Sequence, residues 1–180
     1  MTNPFFRRPP SSIAEFLAIA LLTVTLPACA VSRKYDGEVN VTLRDGLPCF
    51  YANDPKLVSR SGPQWWDVSV STSRYEAQFN AVWVAGIKAP LPVAPSNCVP
   101  YGAQFPTAKV RMPAATLPNG MLAYEVFLGV GPEGSHPGGR YGLRFCYGAD
   151  ANDKPALRRW DSVSLRCTPE SPETKSGAAK

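Results

Sequence analysis

One histidine, His136, stands in a chain of 180 residues, which excludes mechanisms that need two imidazoles, most histidine-rich zinc sites among them. No CxxC pair occurs, so neither a zinc ribbon nor a thioredoxin-like redox motif is written into the sequence. Carboxylates are scattered, with no close pair placed for acid–base work on a glycoside. Basic residues nowhere gather into the stripe of a nucleic-acid-binding surface. The net charge of +5 is spread thinly, and Arg158-Arg159 is a doublet rather than a patch. The longest apolar stretch, Ile13 to Leu26, would span ~21 Å as a helix, short of the ~30 Å of a hydrocarbon layer. No later segment carries a convincing helical period, and 19 prolines argue against an all-helical domain. There is no internal repeat. Against these absences, 44% hydrophobic and 11% aromatic residues are enough for a real core and exclude wholesale disorder.

The first thirty residues read as an address. Arg7 and Arg8 form a positive n-region, Ile13 to Leu26 an apolar h-region, and small residues surround Cys29 in Leu26-Pro27-Ala28-Cys29. This is the pattern of a cleavable secretory signal. It resembles the lipobox of bacterial lipoproteins, matching at Leu26, Ala28 and Cys29 and departing at Pro27. The resemblance implies that Cys29 is lipidated and becomes the first residue of the mature chain, where two or three acyl chains give lasting membrane attachment. Ala30, not an aspartate, follows it, which by the lipoprotein sorting pattern implies release to the outer membrane, facing the periplasm. An ordinary signal cut at Ala28 or Ala30, with Cys29 incidental, is the plainer alternative. The twin arginines are followed by Pro9 and Pro10 and lack the rest of a twin-arginine motif.

Setting Cys29 aside leaves Cys49, Cys98, Cys146 and Cys167. An even set in a chain bound for an oxidising compartment points to two disulfides, with three possible pairings.

Downstream, period-two patterning dominates. Val39, Val41 and Leu43 alternate with polar residues up to an Asp45-Gly46 turn; Trp66, Val68 and Val70 alternate with Asp67, Ser69 and Ser71. Phe79, Ala81 and Trp83 line a third run that Val82 and Val84 make apolar on both faces. Asn119-Gly120 is a hairpin-type signal before an apolar strand from Met121 to Val130. Tyr141, Leu143, Phe145 and Tyr147 alternate around Cys146, and Trp160, Val163 and Leu165 mark a last strand. About seven short strands between Gly/Pro/Asn/Asp turns predict an all-β fold, an antiparallel β-sandwich of immunoglobulin-like type. Ser73 to Asn80 is ambiguous. Lys88 to Pro100, with four prolines, is expected to run extended along an edge. Gly129 to Gly139, with five glycines, is expected to be a mobile loop. The organisation is then signal peptide 1–28, tether 29–36, sandwich 37–167 and disordered tail 168–180. In such a sandwich the first strand can lie parallel beside the last, which favours Cys49–Cys167 with Cys98–Cys146. A Cys146–Cys167 link is the main rival, although a hairpin turning near Asn152 would set Cys146 opposite about Arg159.

Candidate sites are few. Ser135 beside His136 could suggest a hydrolase, but adjacent residues in an extended loop point apart and no glycine elbow surrounds the serine. The same loop lacks the lysine and hydroxyl ending of a phosphate loop. Asp150, Asn152 and Asp153 do not follow the spacing of a calcium loop and read as a polar hairpin tip. No metal or cofactor is expected. Trp65-Trp66 is more informative, since neighbouring strand residues face opposite sides. One tryptophan enters the core. The other either packs under the adjacent loop or meets solvent as an anchor for protein or sugar.

The order of features then matters: a lipobox, Asp45-Gly46-Leu47-Pro48-Cys49-Phe50, a tryptophan strand, Cys98-Val99-Pro100-Tyr101-Gly102, Leu117-Pro118-Asn119-Gly120 before Tyr124-Glu125-Val126, Tyr141-Gly142-Leu143-Arg144-Phe145-Cys146, and a final Trp160 and Cys167. Over roughly residues 29–167 this resembles the small periplasmic lipoproteins described as type VI secretion system immunity proteins. The resemblance implies a non-catalytic protein that binds and neutralises a toxic effector; the spread charge and the periplasmic address argue against nucleic acid as a partner. It supplies no catalytic residues. Trp65, His136 and Arg140, on or beside the segments least expected to be buried, are the candidate contact residues. The alternative is a structural or assembly lipoprotein of the envelope, sugar-binding or part of a secretion apparatus.

Overall fold

The structure, a computed structural model, describes residues 35–59, 62–73, 80–131 and 139–169. The candidate signal, Cys29, His136, most of the tail and the core of the ambiguous Ser73–Asn80 stretch lie outside these residues. Among the described residues there are eleven strands: β1 (Gly37–Glu38), β2 (Asn40–Arg44), β3 (Leu47–Tyr51), β4 (Gln64–Thr72), β5 (Ala81–Ala89), β6 (Val99–Pro100), β7 (Lys109–Met112), β8 (Leu122–Val130), β9 (Gly139–Ala149), β10 (Pro155–Asp161) and β11 (Arg166–Cys167). A four-residue helix, α1 (Pro55–Val58), and a 3₁₀ turn at Pro95–Asn97 complete the set.

The strands form an all-β, sandwich-like pair of sheets. The large sheet has the order β11-β10-β9-β8-β4-β5-β7, with β1 parallel to β9. The small sheet is β2-β3-β6. The excess over about seven strands consists of the two-residue strands β1, β6 and β11 and the edge strand β7, all too short or too polar to announce themselves by periodicity.

Alternation decides what lies between the sheets. Trp66, Val68 and Val70 of β4, Trp83, Ala85 and Ile87 of β5, and Tyr124, Val126 and Leu128 of β8 are all buried in one cluster with Val41, Phe50 and Val99 of the small sheet. Phe50 meets Phe145 edge-on at 5.6 Å, and Phe145 stacks on Tyr124 at 5.8 Å, so one aromatic chain bridges the sheets. Each such ring removes ~150–250 Å² from water, and apolar burial at ~25 cal/mol per Å² makes these the main stabilising contacts. The second tryptophan of the pair is anchored too: Trp66 Nε1 donates to the Ala89 carbonyl at 3.3 Å.

Local chemistry fixes the turns. Arg44 pairs with Leu47 across two residues, Asp45 (φ 52°) and Gly46 (φ 77°), the left-handed pair that a two-residue hairpin demands. Asp54 caps α1 by accepting from the Lys56 N–H at 2.8 Å, Pro55 takes the first helical position, and Leu57 fills the end of the core. The other Asp54 oxygen accepts from the Tyr141 hydroxyl at 2.7 Å, tying this cap to β9.

Several expectations are corrected. Lys88–Pro100 runs along an edge only at its end, where Val99–Pro100 form β6 at the edge of the small sheet: before that it leaves β5 and crosses between the sheets, with Leu91 buried and Asn97 tying the segment through Leu91, Val93 and Ala94. Asn119-Gly120 is a bend leading into β8, which pairs with β4 and β9 and not with the preceding strand. The last long strand is Pro155–Asp161, and Val163 (90% exposed) and Leu165 lie in a turn beyond it.

The disulfides are Cys49–Cys98 and Cys146–Cys167, not Cys49–Cys167 and Cys98–Cys146. Two neighbour relations explain the correction. The small sheet sets β6 antiparallel to β3, so Cys98, one residue before β6, comes beside Cys49 with Cα atoms 5.5 Å apart. The strand through Val41, expected to lie parallel beside the last one, instead pairs antiparallel with β3, and the parallel pair is between the two-residue β1 and β9. The β9–β10 hairpin does set Cys146 opposite Arg158, close to expectation. The chain then reverses again through Leu165 (φ 53°), bringing Cys167 opposite Trp160 and within 5.9 Å of Cys146.

Candidate functional site

The small sheet covers one face of the large sheet. No described strand or helix covers the greater part of the other, and this open face is built by the alternate residues of β4, β5, β7, β8 and β9. Register places them in rows. Lys109, Gly86, Asp67, Gly129 and Arg140 stand side by side across β7-β5-β4-β8-β9; Val84, Ser69, Phe127 and Gly142 form the next row, and Ser71, Glu125 and Arg144 the one after.

Glycines in those rows make room for aromatic rings packed close against the sheet. A Cβ at Gly86 would come within 2.9 Å of both the Trp65 ring and the Asp67 carboxylate, so the indole is seated on this glycine. The Tyr35 ring occupies the space above Gly142, and its centroid lies 6.3 Å from that of Phe127. Cations sit above these platforms: Lys109 Nζ is 5.4 Å from the Trp65 ring centre and the Arg140 guanidinium 5.4 Å from that of Phe127. Trp65 Nε1 is buried and has no hydrogen-bond partner among the described residues.

Ion pairs cross the same face. Arg111 reaches Asp67 at 3.4 Å, and Arg144 reaches Glu125 at 3.5 Å. Tyr35 donates to the other Glu125 oxygen at 3.2 Å. The Asp67 carboxyl is pushed up from its ordinary value because burial penalises the anion more than Arg111 favours it. That order is reasonable, since the Arg111 side chain is 61% exposed and its charge is screened by water. The Tyr35 phenol is likewise raised, first by burial, then by the Glu125 charge and hydrogen bond, with Arg140 and Arg144 opposing. Asp36 fixes the approach of Tyr35, exchanging two 2.7 Å hydrogen bonds with the Arg140 backbone.

Two of the three candidate contact residues, Trp65 and Arg140, thus share this face. His136 lies outside the described residues. Trp65 is half-buried, with its ring seated against Gly86. Residues that sequence reasoning missed are Tyr35, Asp67, Lys109, Arg111, Glu125, Phe127 and Arg144. Phe127 alone carried a signal, because it breaks the inward alternation of Tyr124, Val126 and Leu128.

Elsewhere, a cavity of about 180 Å³ opens at one end of the sandwich between Leu117, Asn119, Tyr147 and Pro155. The Tyr147 hydroxyl is engaged there with the Gly46 carbonyl at 2.8 Å. Asp150 is occupied as a turn cap, accepting from the N–H groups of Asn152 (2.7 Å) and Lys154 (3.0 Å). Among the described residues no three His, Cys, Asp or Glu side chains converge as metal ligands. The open face offers stacking surface, cations and paired carboxylates, a combination suited to contact with another macromolecule. No family model, no curated protein and no solved structure matches the chain.

Proposed function

We propose that this protein is a periplasmic lipoprotein, anchored to the outer membrane through Cys29, that binds and neutralises a toxic effector of a type VI secretion system without chemistry of its own. The observation that carries the reading is the open face of the large sheet, where Trp65, Phe127 and Tyr35 lie among cations. Rigid aromatic and arginine side chains dominate the energy of protein interfaces, because they bury area with few rotamers to immobilise. Such a face can occlude an enzyme's active site by contact alone. The lipobox pattern around Cys29 and the family resemblance supply the address and the kind of partner.

The test is sibling competition. Deleting the gene in a strain with an active type VI apparatus should render it sensitive to its parent, and the wild-type gene should restore resistance. A Trp65→Ala/Arg140→Ala gene should restore it poorly at equal protein level. Cys29→Ala should shift the protein from the membrane to the soluble periplasmic fraction. Undiminished fitness of the deletion strain, with no co-purifying effector, would overturn the reading in favour of an envelope-assembly role.

A further inference from the structure

We infer that the open face of the large sheet is the docking surface for an acidic protein surface. This names the partner chemistry of the site proposed above and rests on that reading. Register assigns six basic residues to the face: Lys88, Lys109, Arg111, Arg140, Arg144 and Arg158. Three acidic residues share it, Glu38, Asp67 and Glu125, and the last two already face arginines. The other described residues carry five basic side chains against six acidic ones. Among the described residues charge is therefore polarised: the basic surplus sits on the face that no described strand or helix covers, and the remainder is slightly acidic.

That polarity selects the occupant. A second copy presenting the same face would meet like charge, which costs binding rather than favouring it. A lipid surface favours aromatic side chains that project into the headgroups, whereas Trp65 is half-buried against Gly86, and Tyr35, although 38% exposed, is laid over Gly142 with its hydroxyl on Glu125. Duplex nucleic acid is bound through phosphates along a continuous basic track, and here glycines and carboxylates interrupt every row. A broad, moderately basic sheet face matches a folded partner with an acidic face. Size agrees as well: six strands ~4.8 Å apart and nine residues long in β4, β5 and β8 span roughly 24 by 30 Å, near the ~800 Å² per partner of a standard interface. Opposite charge across such an area raises the association rate and makes it fall with salt.

The test uses the purified chain and a defined acidic polypeptide, the random copolymer poly(Glu,Tyr), with phosphatidylglycerol vesicles and duplex DNA as comparators. Saturable binding of the copolymer is expected, weakening about tenfold from ~50 to ~300 mM salt. Hydrogen-exchange protection should be confined to β4, β5, β8 and β9. Lys88→Glu/Lys109→Glu, at two exposed positions, should weaken it about tenfold, whereas Arg44→Glu/Arg159→Glu, which register places off the face, should leave it unchanged. Absence of binding, protection elsewhere, or tighter binding to vesicles or DNA would overturn the inference. The same two variants in sibling competition separate the failures. If the wild type protects and Lys88→Glu/Lys109→Glu protects equally, the docking face is wrong and the immunity reading stands. If deletion has no phenotype, the immunity reading falls, and the copolymer footprint still decides the face.

Discussion

Replacing Cys49 and Cys98 together by alanine should lower the unfolding free energy by about 4 kcal/mol, and replacing Cys146 and Cys167 together by about 3 kcal/mol. The difference follows from loop length. The first bond joins residues 49 apart and the second residues 21 apart, so the first removes more freedom from the unfolded chain. Burial works in the same direction: Cys49 and Cys98 pack with Tyr51 as a small cluster of buried residues, while Cys167 is half exposed. The measurement is equilibrium urea unfolding in a Cys29→Ala background, with thiols titrated after denaturation without reductant. Each double variant should show no free thiol, because the other bond survives. In the crossed arrangement, Cys49→Ala/Cys98→Ala would sever both cross-links, expose two thiols and cost about 9 kcal/mol. Two thiols in that variant would refute the connectivity and the strand neighbours that produce it.

Gly142→Ala should evict the Tyr35 ring from its seat, cost about 1 kcal/mol, and return the Tyr35 phenol toward its ordinary value of 10.0 in an ultraviolet titration. Tyr101→Phe removes a hydroxyl that lies 2.9 Å from both the Val82 and Ala115 carbonyls and should cost about 1–2 kcal/mol at neutral pH. Burial raises that phenol to about 12, so its stabilisation is complete below pH 10 and lost as pH rises toward 12; urea melts across that window should show the wild type losing its advantage over the phenylalanine variant. Asp67 has the same sign in acid. Its folded carboxyl is raised, so the fold holds that proton more tightly than the unfolded chain, and the wild type should weaken relative to Asp67→Asn as pH rises from about 3.8 in paired thermal melts. Asp150 has the opposite sign: backbone N–H groups of Lys154 and Asn152 lower it, so its contribution is present above 3.8 and is lost as pH falls, and the destabilisation by Asp150→Asn should be full at neutral pH and shrink as pH falls below 3.8.

Strands with strict alternation were legible because one face of each is buried. The runs around Val41, Val68, Val126 and Phe145 all form where the pattern puts them, and Asp45-Gly46 turns as its chemistry requires. The edge strand Lys109–Met112 was not legible, since all four residues are exposed and nothing on either side demands alternation. Alternation states which way a side chain faces but not which strand lies beside it. The disulfides were misassigned for that reason: the β3–β6 neighbourhood depends on a crossing segment whose course follows from Asn97 bonds, not from period. Trp65 could be picked out as the second member of a doublet. Its companion Tyr35 could not, because in the sequence it belongs to a tether, and only a missing side chain at Gly142, a hundred residues later, gives it a place to lie.

The strand order has a consequence for how the chain can assemble. Pairings β2–β3, β4–β5, β8–β9 and β9–β10 are all between consecutive strands, and each disulfide closes within its own half of the chain, one before residue 113 and one after residue 121. Strand pairing between the halves is confined to one long seam, β4 against β8, over seven residue pairs from Trp66–Val130 to Thr72–Tyr124, and to two pairs of β1 with β9. Long-range pairing of this kind closes late, because chain entropy opposes it until local hairpins have formed. Oxidation can therefore seal each half correctly while the seam is still open. The rate-setting event is then the registration of two covalently finished pieces, in which a slip of one residue would turn Trp66 and Val68 out of the core.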